Sequence, residues 1–137
     1  MTDDGAAAAA EAYAERGAGR TGRALELYLL AADRSSDPRA RAHRLRHAGD
    51  IHQDEGRDDL AAPLYEEALA LYRGRPDTSA LDLANLLRPL AMLREKAGAR
   101  EEAAVHWAEA AALYEAAGVD IGAKECARRL SALSSGP

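Results

Sequence analysis

Between Pro38 and Gln53 the chain gathers residues whose types and spacing could do chemistry. Arg39, Arg41, Arg44 and Arg46 alternate with His43 and His47, in a protein whose formal net charge is −5. His43 and His47 are four residues apart, which on a helix places both imidazoles on one face, with Asp50 one turn further on. Two histidines at that spacing are half of a transition-metal site. No HExxH pattern completes it, and Cys126 is the single cysteine. The expectation is a polar helix face with no metal and no cofactor, and metal binding through His43 and His47 is the alternative.

The arginines suggest different chemistry. A guanidinium grips a carboxylate through two parallel, charge-assisted hydrogen bonds. Arg39, His43, Arg46, His47, Asp50 and Gln53 share one helical stripe, turned away from Leu45, Ala48 and His52. The bland reading of such a run is a solvated charged face. Gly17 to Gly22 spells G-x-G-x-x-G, but a dinucleotide fingerprint must leave a buried strand and open a helix. Here it follows an alanine-rich helical run and reads as a turn. No phosphate loop and no nucleophile–base pair is present, so no catalytic residue is assigned and no enzyme is expected.

The elements that position these residues follow from composition and punctuation. Phe is absent and aromatics are only 4%, so the core must be built from Ala and Leu, both strong helix formers. A chain of 137 residues can bury such a core as one domain without disulfides. Its acidic balance argues against nucleic-acid or anionic-membrane partners. No apolar run approaches the roughly 20 residues that span a bilayer. The acidic start MTDDG is unlike a secretory signal, and the lone cysteine fits a reducing, cytoplasmic setting.

Seven helices are expected: Ala6 to Arg16, Arg23 to Asp33, Pro38 to about Glu55, Asp58 to Arg73, Ser79 to Ala97, Arg100 to Ala116, and Ile121 to Leu133. Residues 1–4 read as a disordered tail and the final SSGP as frayed. Ser36 or Asp37 should cap the third helix ahead of Pro38, and Asp77 or Thr78 the fifth. Pro89 should bend the fifth helix. Tyr13, Tyr28, Tyr65, Tyr72, Trp107 and Tyr114 read as core, and His52 and His106 as partly buried and hydrogen-bonded. Ala123, Cys126, Ala127 and Leu130 share one face of the seventh helix.

The pattern repeats. A shift of 42 residues carries Leu45 onto Leu87, Gly49 onto Ala91, Gly56 onto Gly98, Ala61 onto Ala103, Tyr65 onto Trp107, Ala68 onto Ala110 and Tyr72 onto Tyr114. A shift back by 37 carries Gly56 onto Gly19, Ala61 onto Ala24, Tyr65 onto Tyr28 and Ala68 onto Ala31. Helical hairpins repeating at such a period make a stacked array, each unit burying its face against its neighbours.

This pattern resembles the tetratricopeptide repeat family: Leu45, Gly49, His52, Gly56, Ala61, Tyr65 and Ala68 stand at its positions, as do Leu87, Ala91, Arg94, Gly98, Ala103, Trp107 and Ala110. The 42-residue spacing and the run Ala61-Ala62-Pro63-Leu64-Tyr65 are similar to the longer repeats of kinesin light chains and their bacterial relatives. His52 and Arg94 replace the family's usual aromatic.

The resemblance implies an all-α, right-handed superhelical stack of about three antiparallel hairpins, residues 6–34, 38–74 and 78–117, with a capping helix over 119–133, in one domain. It also implies a non-enzymatic interaction module, since the first helix of each hairpin lines a concave groove in that family. The groove residues would be Arg39, His43, Arg46, His47, Asp50 and Gln53, and, 42 residues on, Asn85, Arg88, Met92 and Glu95, with Leu81 and Pro89 in the same stripe. The expected partner is a peptide or protein segment, with an acidic one the chemistry that Arg46 and Arg88 favour. The alternative is an assembly protein that forms homo-oligomers through its array ends or its last helix.

Overall fold

Glycines and capping residues divide the chain where the periodicity requires. The computed structural model describes residues 4–135. The helices are α1 (Ala6–Gly17), α2 (Thr21–Arg34), α3 (Pro38–Asp54), α4 (Asp58–Arg73), α5 (Ala80–Lys96), α6 (Arg100–Ala116) and α7 (Asp120–Ser135). There is no strand among the described residues, so the fold is all-α. The helix ends lie within two residues of those read from the sequence.

At the turns, Gly56 and Gly98 take φ of 77° and 79°, a left-handed conformation in which a side chain would be strained. Each lets the next residue reach back five positions: Arg57 N–H donates to the His52 carbonyl and Ala99 N–H to that of Arg94, both at 2.8 Å. That closes the helix C-terminus and reverses the chain. Asp37 caps α3, accepting from Ala40 N–H at 3.3 Å ahead of Pro38. The cap of α5 is Ser79, which accepts from Asp82 N–H at 3.1 Å, and not Asp77 or Thr78. Its extended backbone aims the hydroxyl at the third helical amide. Pro89 lies buried within the unbroken span of α5.

The described residues form two compact units, divided between Pro76 and Asp77. In the first, α2 packs on α1, α3 on α2 and α4 on α3; in the second, α6 packs on α5 and α7 on α6. The first is filled by Ala8, Ala12, Ala24, Leu27, Tyr28, Ala31, Ala48 and Ile51. Large and small residues interlock there. Tyr65 is fully buried against Gly49, where an added Cβ would fall 2.7 Å from the ring. In the second unit Trp107 is fully buried, and Gly122 of α7 yields to Tyr114 in the same way, at 2.9 Å.

Tyr13 departs from the expected core: it is 74% exposed. The buried stripe of α1 runs through Ala8 and Ala12, and the next residue along a helix is rotated about 100° off that stripe. Ala127 is likewise exposed, while Ala123 and Leu130 are half-buried and Cys126 is fully buried. Of the expected N-terminal tail, residues 1–3 lie outside the described residues. Asp4 is tied down, because its carbonyl accepts from Arg44. At the other end, residues 136 and 137 lie outside the described residues, and Ser134 and Ser135 complete α7.

Candidate functional site

The basic cluster on α3 splits into two groups by helix phase. Arg41 and Arg44 turn toward α2. The Arg41 guanidinium donates to the Ala32 carbonyl at 3.0 Å and to Glu67 at 2.7 and 2.9 Å; Arg44 donates to the Ala31 carbonyl at 3.3 Å and to Ser35 Oγ at 2.5 Å. These carbonyls lie in the last turn of α2, where Ser35 also donates, its N–H to Ala32 at 3.1 Å and its hydroxyl to Ala31 at 2.8 Å, so both arginines help to close a helix terminus. The stripe expected to face a partner holds the others, and here the structure brings Arg46, His47, Asp50 and Gln53 together with groups from α1, α2 and α4.

On this stripe Arg39 and His43 are exposed, while Arg46, His47, Asp50 and Gln53 are half-buried. Arg46 Nη1 donates to Asp50 Oδ2 at 3.3 Å, while its Nε is buried with no hydrogen-bond partner. Asp50 Oδ1 accepts from the Tyr65 hydroxyl at 2.6 Å, and the Gln53 amide is the hydroxyl's second neighbour at 2.9 Å. Burial pushes the Asp50 carboxyl above its usual range, opposed by the Tyr65 hydrogen bond and by Arg46. The same carboxylate, after burial itself, raises the Tyr65 phenol.

The His47 ring stacks on Tyr28, with centroids 5.0 Å apart and planes 12° from parallel. Its Nδ1 is buried without a partner. Burial, then the charge of Arg46, pushes the imidazole down to about 3, so it is neutral at physiological pH. Tyr13, Arg16, Gly17, Tyr28 and His47 line a cleft of about 330 Å³ between the end of α1 and the middle of α3. Arg16 spans this face to Asp54 at 3.0 Å. The cleft thus has a rigid aromatic–imidazole floor, an exposed phenol at its rim and a cation at its side.

From the sequence Tyr13 reads as core and Arg16 takes no role in the site, although a signal for both exists. The 37-residue shift that carries Gly56 onto Gly19 also carries Asp50 onto Tyr13 and Gln53 onto Arg16. Both therefore belong to the same stripe, one hairpin earlier.

In the second unit the corresponding residues face partners of their own. Arg88 is held by Glu125 of α7, and Asn85 Oδ1 accepts from the Tyr114 hydroxyl at 2.7 Å. Glu95 accepts from Trp107 Nε1 at 2.9 Å and from Arg129 at 2.8 Å. Glu95 is the repeat equivalent of Gln53, and each meets the polar tip of the equivalent aromatic, Trp107 or Tyr65. Met92 is half-buried, Leu81 is 41% exposed and Pro89 is buried.

The two histidines in phase with packing positions also differ. His52 is buried and its Nδ1 accepts from Arg57 Nε at 3.0 Å; burial and that cation lower its imidazole. His106 is half-buried on α6. Gly17 to Gly22 joins α1 to α2, two helices, so no strand precedes it. Among the described residues no helix is long and apolar enough to cross a membrane.

No protein-family model matches this chain, and a search of the curated proteins returns no match.

Proposed function

We propose that the chain is a non-enzymatic interaction module of tetratricopeptide-like design, and that the α1–α3 face of its first unit takes up a segment of a partner protein. The observation that carries this reading is the cleft beneath Tyr13. A large aromatic side chain 74% exposed beside a stacked Tyr28–His47 pair costs solvation and does nothing for the core. Such a placement suits an anchor pocket, because buried aromatics and arginines dominate binding energy in protein interfaces. The cleft accepts an aromatic or long aliphatic side chain over the His47 ring.

Carboxylate recognition is the second component. Arg46 and Arg88 each already hold a carboxylate of this chain, Asp50 and Glu125. In the first unit an acidic partner segment would compete for the Arg46 guanidinium, and the exposed Arg39 of the same helix would add long-range attraction. Peptides selected from a random displayed library against the folded protein, then measured by calorimetry, test the reading. Tyr13→Ala should weaken the selected peptides by about tenfold or more, equivalent to 1.4 kcal/mol. Arg128→Ala on α7 should leave them unchanged. Equal binding by the Tyr13 variant and the wild type would exclude the cleft as the anchor.

A second reading, self-assembly through α7, is favoured by Ile121, which is 83% exposed in the first turn of that helix. Light scattering distinguishes it: assembly requires a defined oligomer that Ile121→Ser dissociates.

A further inference from the structure

His43 and His47 lie on α3 beside the cleft, and their rings meet edge to face at 82°, with centroids 4.6 Å apart. Their Nε2 atoms are 3.1 Å apart. In the absence of metal, that distance is a hydrogen bond in which one ring donates and the other accepts. It is also the separation of two nitrogens sharing one ion. Metal–imidazole bonds of about 2.0–2.1 Å with an angle of about 90–110° between them put the nitrogens about 2.8–3.4 Å apart. The observed distance falls inside this span, so the two nitrogens already stand at a separation that one ion can bridge once the rings turn their lone pairs toward it.

Two further features prepare the pair. His47 is oriented by its stack on Tyr28, so the ring is already fixed before a ligand arrives. His43, one turn earlier on α3, is exposed.

We propose that His43 and His47 form an open two-nitrogen chelate for a divalent transition-metal ion of the kind that prefers imidazole, copper(II) above nickel(II) above cobalt(II). The order follows from the general ranking of these ions at nitrogen sites. Among the described residues no group of three His, Cys, Asp or Glu side chains could hold a metal. Asp50, the nearest carboxylate along the stripe, is engaged by Tyr65 and Arg46. The remaining coordination positions therefore go to water. The lack of a third ligand that weighed against a metal in the sequence excludes a closed structural site, not an open chelate. The buried Nδ1 of His47 has no acceptor to strengthen the ligand, which sets the affinity below that of a structural zinc centre. This site does not depend on the peptide-binding reading.

The test is calorimetric titration of the full chain with copper(II) and nickel(II) chloride in a non-coordinating buffer. It is paired with copper-induced broadening of the histidine imidazole resonances. One ion per chain is expected, copper binding more tightly than nickel. His43→Ala and His47→Ala should each weaken binding by about tenfold or more, 1.4 kcal/mol per decade. His106→Ala should bind as the wild type does, and broadening should be confined to His43 and His47. His47→Ala also removes a ring from the Tyr28 stack, so circular dichroism must show it folded; the exposed His43 variant stands as the test in either case. Absence of one-to-one binding overturns the proposal. So does wild-type affinity in His43→Ala, or broadening centred on His52 or His106.

Discussion

Arg88 and Glu125 are joined by two parallel hydrogen bonds, Nε to Oε1 at 2.5 Å and Nη2 to Oε2 at 3.0 Å, across 37 residues of sequence. This is the bidentate carboxylate recognition that the arginine suits, but the carboxylate comes from α7 of the same chain. With Arg129 on Glu95, it ties α7 to α5 as well as to α6. Both partners are partly exposed, 40% and 29%, so solvent screens the pair. Glu125→Gln, which keeps shape and removes charge, should lower stability by about 0.5–1 kcal/mol in urea denaturation at neutral pH. The Arg88 hydrogen bond holds the Glu125 carboxyl below its usual range, against the opposing effect of burial. On acidification the unfolded chain therefore takes up this proton first. The pair's contribution is complete above about pH 4.3, the ordinary glutamate value, and is lost as pH falls from there through the lowered native value. The variant should lack this component of the acid slope; an identical slope would show that the pair does not contribute.

Gly49 exists to admit Tyr65. Alanine there would gain up to about 1 kcal/mol of helix propensity. Its Cβ would stand 2.7 Å from Cε1 of a ring that is fully buried and tethered to Asp50 at 2.6 Å, so the ring cannot withdraw. Overpacking of this kind costs about 1–3 kcal/mol, and Gly49→Ala should be destabilising on balance. Combined with Tyr65→Leu, which vacates the space, it should become neutral or favourable. Additive losses in the double variant would mean that the two residues are not in conflict.

Trp107 should report the integrity of the second unit. It is fully buried, donates to Glu95 at 2.9 Å and lies under the Arg129 guanidinium, 4.8 Å from the ring centroid. Emission should be blue-shifted and poorly quenched by iodide. Trp107→Ala should cost about 3–5 kcal/mol by chemical denaturation. Arg129→Ala removes the cation over the ring and should cost about 0.5–1 kcal/mol. Free quenching of the folded protein would contradict the packing described.

His47 should resist protonation. Its imidazole is held down to about 3 by burial first, then by Arg46, His43 and Arg16. In a histidine NMR titration its ring shifts should stay flat from pH 8 to about 5, below the ordinary value near 6.5. The unfolded chain protonates this histidine first as pH falls, so its effect on stability is fully favourable above about 6.5 and declines below it, by at most about 1.4 kcal/mol per pH unit. The lowered His52 acts in the same direction, and Asp50, whose carboxyl is raised, offsets them at lower pH. His47→Asn should reduce the dependence between pH 6.5 and 5.5; an unchanged slope would assign it to other groups.

The helices and the approximate positions of their ends were legible in the sequence because they are governed by local rules. A 3.6-residue period sets which residues share a face, glycine marks where φ turns positive, and both recur with the repeat. The stripe from Arg39 to Gln53 was legible for the same reason. What each side chain on it meets was decided only by tertiary packing. Arg41 and Arg44 close α2, Arg88 is taken by a glutamate 37 residues on, and Tyr13 is left in solvent one step from a buried alanine. Periodicity fixes a direction on one helix but not the distance to a neighbour. A hydrogen bond of 3 Å depends on how far the next helix is rotated and displaced, and that is set by the summed packing of the alanines, leucines and aromatics between them.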